Sequence, residues 1–336
     1  MWPFISPINL IRYLFVWRVN GSLVWLPKCL SAELSLVLGT MIADRLPTRE
    51  AHHWRKALAP WGERGTLRDK LKTIPEASWP IEAVLFVYPL TKRSYGQGEV
   101  ILWELELMGE SADHGLFLET LLPVMEEVAT TSDSRWRYQN SLWGRFDIHS
   151  VYVARGATWE PVVQEGKLDL RYRPTPTQWA EGLAFDARSE HVFDRLTWLT
   201  PFDLSTGTGN GERKASTSRG KKEIPAGEVP TLQKILESLI ARMSLFLPGK
   251  HNTPDDVWNS LSTEERSSLQ AAMEQAAHIP VHHHDIRPAP KNWPGRWIGT
   301  QTFPSIPSPI IPYLELASIL HIGRQTHFGC GTFVIT

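Results

Sequence analysis

Only two of the 336 residues are cysteines, Cys29 and Cys330. Two widely separated thiols exclude a disulfide framework and a four-thiolate metal site. Long apolar runs are missing as well. The most apolar N-terminal stretch, PFISPINLIRYLFVWRV, is interrupted by Arg12 and Arg18, so neither a signal peptide nor a membrane span is expected. The expected compartment is the cytoplasm. Excess charge of one sign is also lacking: the formal net charge is −1, which excludes a uniformly basic nucleic-acid binder.

What is present is a soluble composition, 42% hydrophobic and 21% charged, in a chain long enough for two cores. The near-zero net charge hides a gradient. Residues 1–75 carry eleven Lys and Arg against five Asp and Glu, a local balance of +6. The stretch GERKASTSRGKK (211–222) is basic, and 99–133 is acidic. One face can therefore attract phosphate on a chain that is neutral overall.

Hydrophobic periodicity organises the chain. Asn9–Val19 reads as a buried strand, and Ser31–Ile42 has helical spacing at Leu34, Val37, Leu38, Met41 and Ile42. Ile81–Tyr88 and Glu99–Met108 read as strands around the turn-rich KRSYGQG, followed by a helix (His114–Val128) and a strand in GRFDIHSVYVA. The order β-α-β-β-α-β is that of a ferredoxin-like domain, assigned to residues 1–155. Residues 156–336 repeat it: strand His191–Leu204, helix Leu232–Phe246, strand Arg296–Phe303, helix Ile310–Leu320 and a closing strand Gly331–Ile335. Two interruptions are expected in this second domain. One is a flexible basic loop (205–228), and the other is a helical insertion (250–278) opened by the capping signals TPDD and STEE.

The run HHHDIR (282–287) invites a metal reading. Strand alternation would send neighbouring histidines to opposite faces, and no Cys or carboxylate cluster completes a site, so a solvated edge strand is expected there. A metallohydrolase using His282 to His284 is the more remote alternative. The 15 tryptophans could stack bases, although cores and seams are their ordinary place.

The C-terminal PYLELASILHIGRQTHFGCGTF resembles the signature of the CRISPR precursor-RNA-processing endoribonucleases of the RAMP superfamily: a short helix, a His-hydrophobic-Gly step, a basic-polar run, then Gly-x-Gly and a strand. Upstream pieces fit in the same order, namely GEVILWELELMGESADHGLFLETLLP, WLTPFDL with LQKILESLIARMSLFL, and RWIGTQTF. The resemblance implies an α+β protein of two tandem ferredoxin-like domains with a C-terminal glycine-rich loop. It also implies RNA bound across the two domains and cleavage without metal or other cofactor. The substrate would be the repeat of precursor CRISPR RNA, with other CRISPR effector-complex proteins as further partners. A non-catalytic RNA-binding subunit of an effector complex is the rival class.

Residues for these roles can be named. Gly323, Gly329 and Gly331 permit positive φ and close approach of a phosphate to backbone amides, and Arg324, Gln325, Thr326 and His327 add hydrogen-bond partners. Arg213, Lys214, Arg219, Lys221 and Lys222 of the basic loop are expected to touch RNA backbone. For catalysis the resemblance directs attention to AHHWRK (51–56), after the first helix. His52 or His53 comes first and His321 second as proton-transfer groups, and Lys56 or Arg324 would steady the phosphorane. His321 could instead only complement the end of its helix.

Overall fold

The computed structural model describes residues 2–59, 79–88, 92–131, 133–136, 138–183, 192–205, 224–249, 252–291 and 293–336. The five basic residues Arg213, Lys214, Arg219, Lys221 and Lys222 lie outside this set. Among the described residues, no helix is long and apolar enough to cross a membrane.

In the first half, β1 (Leu10–Val19) and β2 (Leu23–Trp25) lead into α1 (Leu30–Arg45) and α2 (Thr48–Leu58). Then come β3 (Ala83–Val87), β4 (Ser94–Gly96) and β5 (Val100–Met108). A helical stretch follows, His114–Leu116 continuing through a π-helical turn (Phe117–Leu121) into Leu122–Thr130. After it run β6 (Phe146–Arg155), β7 (Thr158–Gln164) and β8 (Lys167–Leu168). The sheet is antiparallel in the order β3-β5-β1-β6-β7-β8, so its first four strands reproduce the ferredoxin-like arrangement. β2 and β4 form a separate two-stranded ribbon.

The second half contains β9 (Phe193–Trp198), the helix Leu232–Ser244, β10 (His283–Pro288), β11 (Trp297–Ile306), the helix Ile311–Leu320 and β12 (Phe333–Ile335). Its sheet order, β10-β11-β9-β12, is the same arrangement again. The expected insertion is a helical pair, Pro254–Ser260 and Thr263–Ala277. Reciprocal bonds open each helix: Asp256 Oδ2 accepts from the Thr253 amide at 2.7 Å, and Glu265 Oε2 accepts from the Ser262 amide at 2.8 Å. β10 is a sheet edge, as the histidine run suggested. His283 is exposed and His284 half-buried, on opposite faces. Among the described residues, no group of three His, Cys, Asp or Glu side chains could hold a metal.

Two strands run past the expected domain limit. β7 lies beyond residue 155 and pairs with β6, and β8 pairs with β7, so the first sheet extends to Leu168. The N-terminal segment also crosses over: Phe4, Ile5, Ile8 and Leu10 pack with Val84, Met108 and the second domain's core.

β5 shows how the first sheet is built. Ile101, Trp103, Leu105 and Leu107 are buried under the helices, with Trp103 stacked on Phe15 at 4.3 Å. The alternate positions Glu104 and Glu106 would face water in a one-sided sheet, yet each is only 2% exposed. Arg12, opposite Glu106 on β1, explains how they are held. Its guanidinium donates to Glu104 Oε2 at 2.7 Å and approaches Glu106 Oε1 at 3.2 Å, while Tyr88 donates its hydroxyl to Glu104. One cation thus serves two carboxylates, and Glu106 Oε2 is buried with no partner.

Burial raises the Glu106 carboxyl to about 8, against the pull of Arg12 and with a further push from Glu104. The folded state therefore holds this proton more tightly than the unfolded chain, whose glutamates titrate near ~4.3. The associated stability is complete below that value and is lost as pH rises through about 8. Glu106→Gln keeps the neutral shape and should flatten that decline, gaining more than ~1 kcal/mol over the parent near pH 9. Denaturant melts at pH 5 and 9 check this; equal losses in parent and variant would contradict it.

Candidate nucleic-acid interface

The helix Ile311–Leu320 ends where His321 adopts a left-handed backbone (φ 54°), and Gly323, Gln325, Gly329 and Gly331 continue with φ of 90°, 61°, 77° and 89°. Such a chain path requires glycine at most of these points. The neighbours show a second requirement. A Cβ on Gly331 would lie 1.9 Å from the Ile322 carbonyl oxygen, and one on Gly323 would lie 2.5 Å from that of Asp203. On Gly329 it would lie 2.4 Å from the carbonyl oxygen of Leu85, on β3 of the first domain.

The backbone amides are engaged too. Ile322 N donates to Gly331 O at 3.1 Å, Arg324 N to Asp203 O at 2.9 Å, Gly329 N to Thr326 O at 2.7 Å and Gly331 N to Pro201 O at 3.0 Å. From α1, Ser35 Oγ donates to His327 O at 2.7 Å. The sequence reading had these amides turned toward a phosphate and these glycines close to RNA. The structure instead spends them on protein backbone, because the loop is wedged between β3, α1 and the segment after β9. It is a staple between domains.

The loop's side chains divide accordingly. Thr326 is buried, and Gln325 Oε1 accepts from the Gly295 amide at 2.7 Å, pinning the turn before β11. His321 is 2% exposed; its Nδ1 donates to the Cys330 carbonyl at 3.1 Å and its ring meets Phe86. Burial pushes it down to about 3, with nearby Arg242 and Arg12 adding to the effect, so it is a neutral imidazole. A proton-transfer group needs access to substrate, and the fold gives His321 none; it holds the loop's two ends together. His327 is likewise pushed to about 3 by burial, its ring against Trp79 and Phe328. Arg324 is half-exposed and remains the loop's outward cation.

AHHWRK forms most of α2 rather than a turn. Ala51, Trp54 and Ala57 recur every third residue and are buried against α1, which leaves His52, His53, Arg55 and Lys56 in solvent. The two imidazoles are 5.9 Å apart, centroid to centroid. A ring relay joins this helix to the loop: Trp54 packs edge-on to Trp79 at 5.3 Å, and Trp79 lies 5.0 Å from His327. Gly39 of α1 makes room, since a Cβ there would meet Trp79 at 3.1 Å and Leu58 at 3.2 Å. The fold therefore places the exposed His52, His53 and Lys56 on an element braced against the glycine loop; it removes His321 from solvent and leaves His327 half-buried with its ring packed inward. Trp54, Trp79 and Ser35 were not singled out by the sequence, which carries no local mark of a contact made across hundreds of residues.

Two antiparallel sheets of ferredoxin-like order, joined by a glycine-rich staple, define the class of protein. Residues 196–333 match the family model described as CRISPR-associated endoribonuclease Cas6, so the second domain bears the signature read from the sequence. No curated protein matches the chain. Among solved structures, 98% of the chain superposes on 46% of a chain in a partial Cas6-RT-Cas1–Cas2 complex, with a TM-score of 0.51 and 13% identity. The same share superposes on 29% of a chain in a Cas6-RT-Cas1–Cas2 complex, with the same TM-score and identity. The chain thus spans less than half of these longer chains, and at such identity the likeness establishes the fold. Thermus thermophilus Cas6 matches over 98% of this chain and 99% of its own, with a TM-score of 0.44 and 13% identity.

If the loop is a staple, its glycines matter for stability before they matter for RNA. Gly329→Ala should cost about 1–3 kcal/mol of backbone strain plus the clash with Leu85. Gly166→Ala, at similar φ (74°) but in open space, carries the strain alone. Urea melts should show the first variant clearly less stable than the second. Equal effects would contradict the staple.

Proposed function

We propose that the chain is an endoribonuclease that processes CRISPR precursor RNA by cutting within the repeat. The observation that carries this reading is the Cas6 family match, which falls on the residues that build β9 to β12 and the glycine loop. The exposed histidines of α2 support it. In the proposed mechanism the 2′-hydroxyl upstream of the scissile phosphate attacks in line, giving a 2′,3′-cyclic phosphate and a 5′-hydroxyl. His52 or His53 transfers the proton, each having an imidazole exposed on α2. Lys56, one helical turn beyond His52, offers charge to the phosphorane. This chemistry needs no metal. Arg324, together with Arg213, Lys214, Arg219, Lys221 and Lys222, is assigned to the RNA backbone, and the cytoplasm is the assigned compartment.

Purified protein incubated with repeat RNA in EDTA should cut it, and the His52→Ala and His53→Ala variants separate chemistry from binding. Loss of the acid-base group should slow single-turnover cleavage by about 10²–10⁴-fold with affinity nearly unchanged. Parental rates in both variants would contradict the assignment to α2. RNA bound tightly but left intact by the parent would favour the non-catalytic subunit instead.

A further inference from the structure

A cleft of about 240 Å³ lies between the domains and shares no residue with the glycine loop or α2. The first domain contributes Lys28 and Ser31 at the start of α1, Tyr88 just after β3, and Arg93; the second contributes Thr200 and Trp293. Among the described residues, no carboxylate lines it. Lys28 and Arg93 are exposed and make no ion pair among the described residues, whereas neighbouring Lys92 is paired with Glu99. The rim is therefore cationic and uncompensated. α1 begins here with Cys29 at its N-cap and no side-chain oxygen capping it, which leaves the positive helix end facing the same space.

The two aromatic residues are held in place by the protein. Tyr88 gives its hydroxyl to Glu104, whose charge Arg12 offsets. Trp293 belongs to the second domain but packs against the first domain's core. Its turn is pinned by the bond from Gly295 N to Gln325, and a Cβ on Gly295 would lie 2.7 Å from Pro201 Cβ. Rigid rings beside cations that make no ion pair among the described residues, with no acid among the described lining residues, are the chemistry of single-stranded nucleic-acid binding: bases stack on the rings and phosphates meet the charges. The volume is below the ~300–1,000 Å³ of drug-sized pockets and has no room for a duplex.

We infer that this cleft binds one unpaired ribonucleotide of the RNA, its base on Trp293 and Tyr88 and its phosphate at Lys28 and Arg93. The inference rests on the RNA-processing reading, and it names where a single-stranded flank of the repeat hairpin is gripped.

The test compares the parent with Trp293→Phe, Trp293→Ala and the Lys28→Ala/Arg93→Ala double variant. The ligands are a repeat hairpin with unpaired flanks, the same hairpin trimmed of its flanks, and free nucleoside monophosphate. Trp293→Ala should weaken binding of the flanked RNA by about 5- to 150-fold and leave the trimmed hairpin unaffected, with Trp293→Phe close to parental. The double variant, which changes only exposed side chains, should lower the salt slope by about 0.7 per cation, again only for flanked RNA. Equal losses on both hairpins, or none on either, would overturn the inference. Nucleoside monophosphate binding as tightly as the flanked RNA would assign the cleft to a free nucleotide and overturn it also. A parent that binds both hairpins equally well refutes the subsite and leaves the RNA-processing reading standing. A parent that binds neither refutes both.

Discussion

Arg242 is the constraint on which the rest of the molecule depends. The residue is 5% exposed, near the end of the helix Leu232–Ser244, and its guanidinium works on both domains at once. Nε donates to the carbonyl of Leu320, the last helical residue before the glycine loop, at 3.1 Å. The other nitrogens reach Glu82 Oε2 at 3.3 Å, just before β3, and Met108 Sδ at 3.5 Å, at the end of β5. The Phe246 ring closes the remaining side at 4.7 Å. A buried cation costs several kcal/mol unless it is satisfied on every side, so these partners must stay together. What they fix is the root of the loop and two strand ends of the opposite domain.

From that seam the functional geometry follows. The loop held at Leu320 reaches β3 through Gly329 and α1 through the bond from Ser35, and it braces Trp79 and so α2 through His327. In the other direction Gln325 fixes the turn that carries Trp293. The exposed histidines and the interdomain cleft are thus two faces of one rigid support. Positioned groups are what the proposed cleavage would require, since it would work by placing a proton-transfer group and a cation beside the phosphate.

Much of the fold was legible because period carries it. Ile101, Trp103, Leu105 and Leu107 alternate, and Ile235, Leu236, Leu239, Ile240 and Met243 make one helical stripe, so the first β-α-β-β-α-β run could be read in order and the second less completely, with β10 legible only as an edge strand in HHHDIR. Local signals also sufficed for the insertion, where Thr253/Asp256 and Ser262/Glu265 cap as their spacing suggests. β7 escaped notice because Pro161 interrupts its pattern. The site was half legible. The glycines advertise positive φ, but nothing near Gly329 in sequence says that the backbone approaching it is Leu85, or that Arg242 lies against Glu82 160 positions away. The burial of His321 was hidden for the same reason: at a helix end it looks solvent-facing, whereas its ring lies against Phe86 of the first domain and bonds to Cys330.

The most direct test of this account is hydrogen exchange on an Arg242→Lys variant, which keeps the charge but loses the fork that reaches three partners. Amides of residues 83–87 in the first domain and 320–331 in the second should lose protection together, while the sheet interior at 101–107 and 147–153 stays protected. Loss confined to 320–331, with 83–87 unchanged, would show that the seam does not couple the domains and would contradict the account.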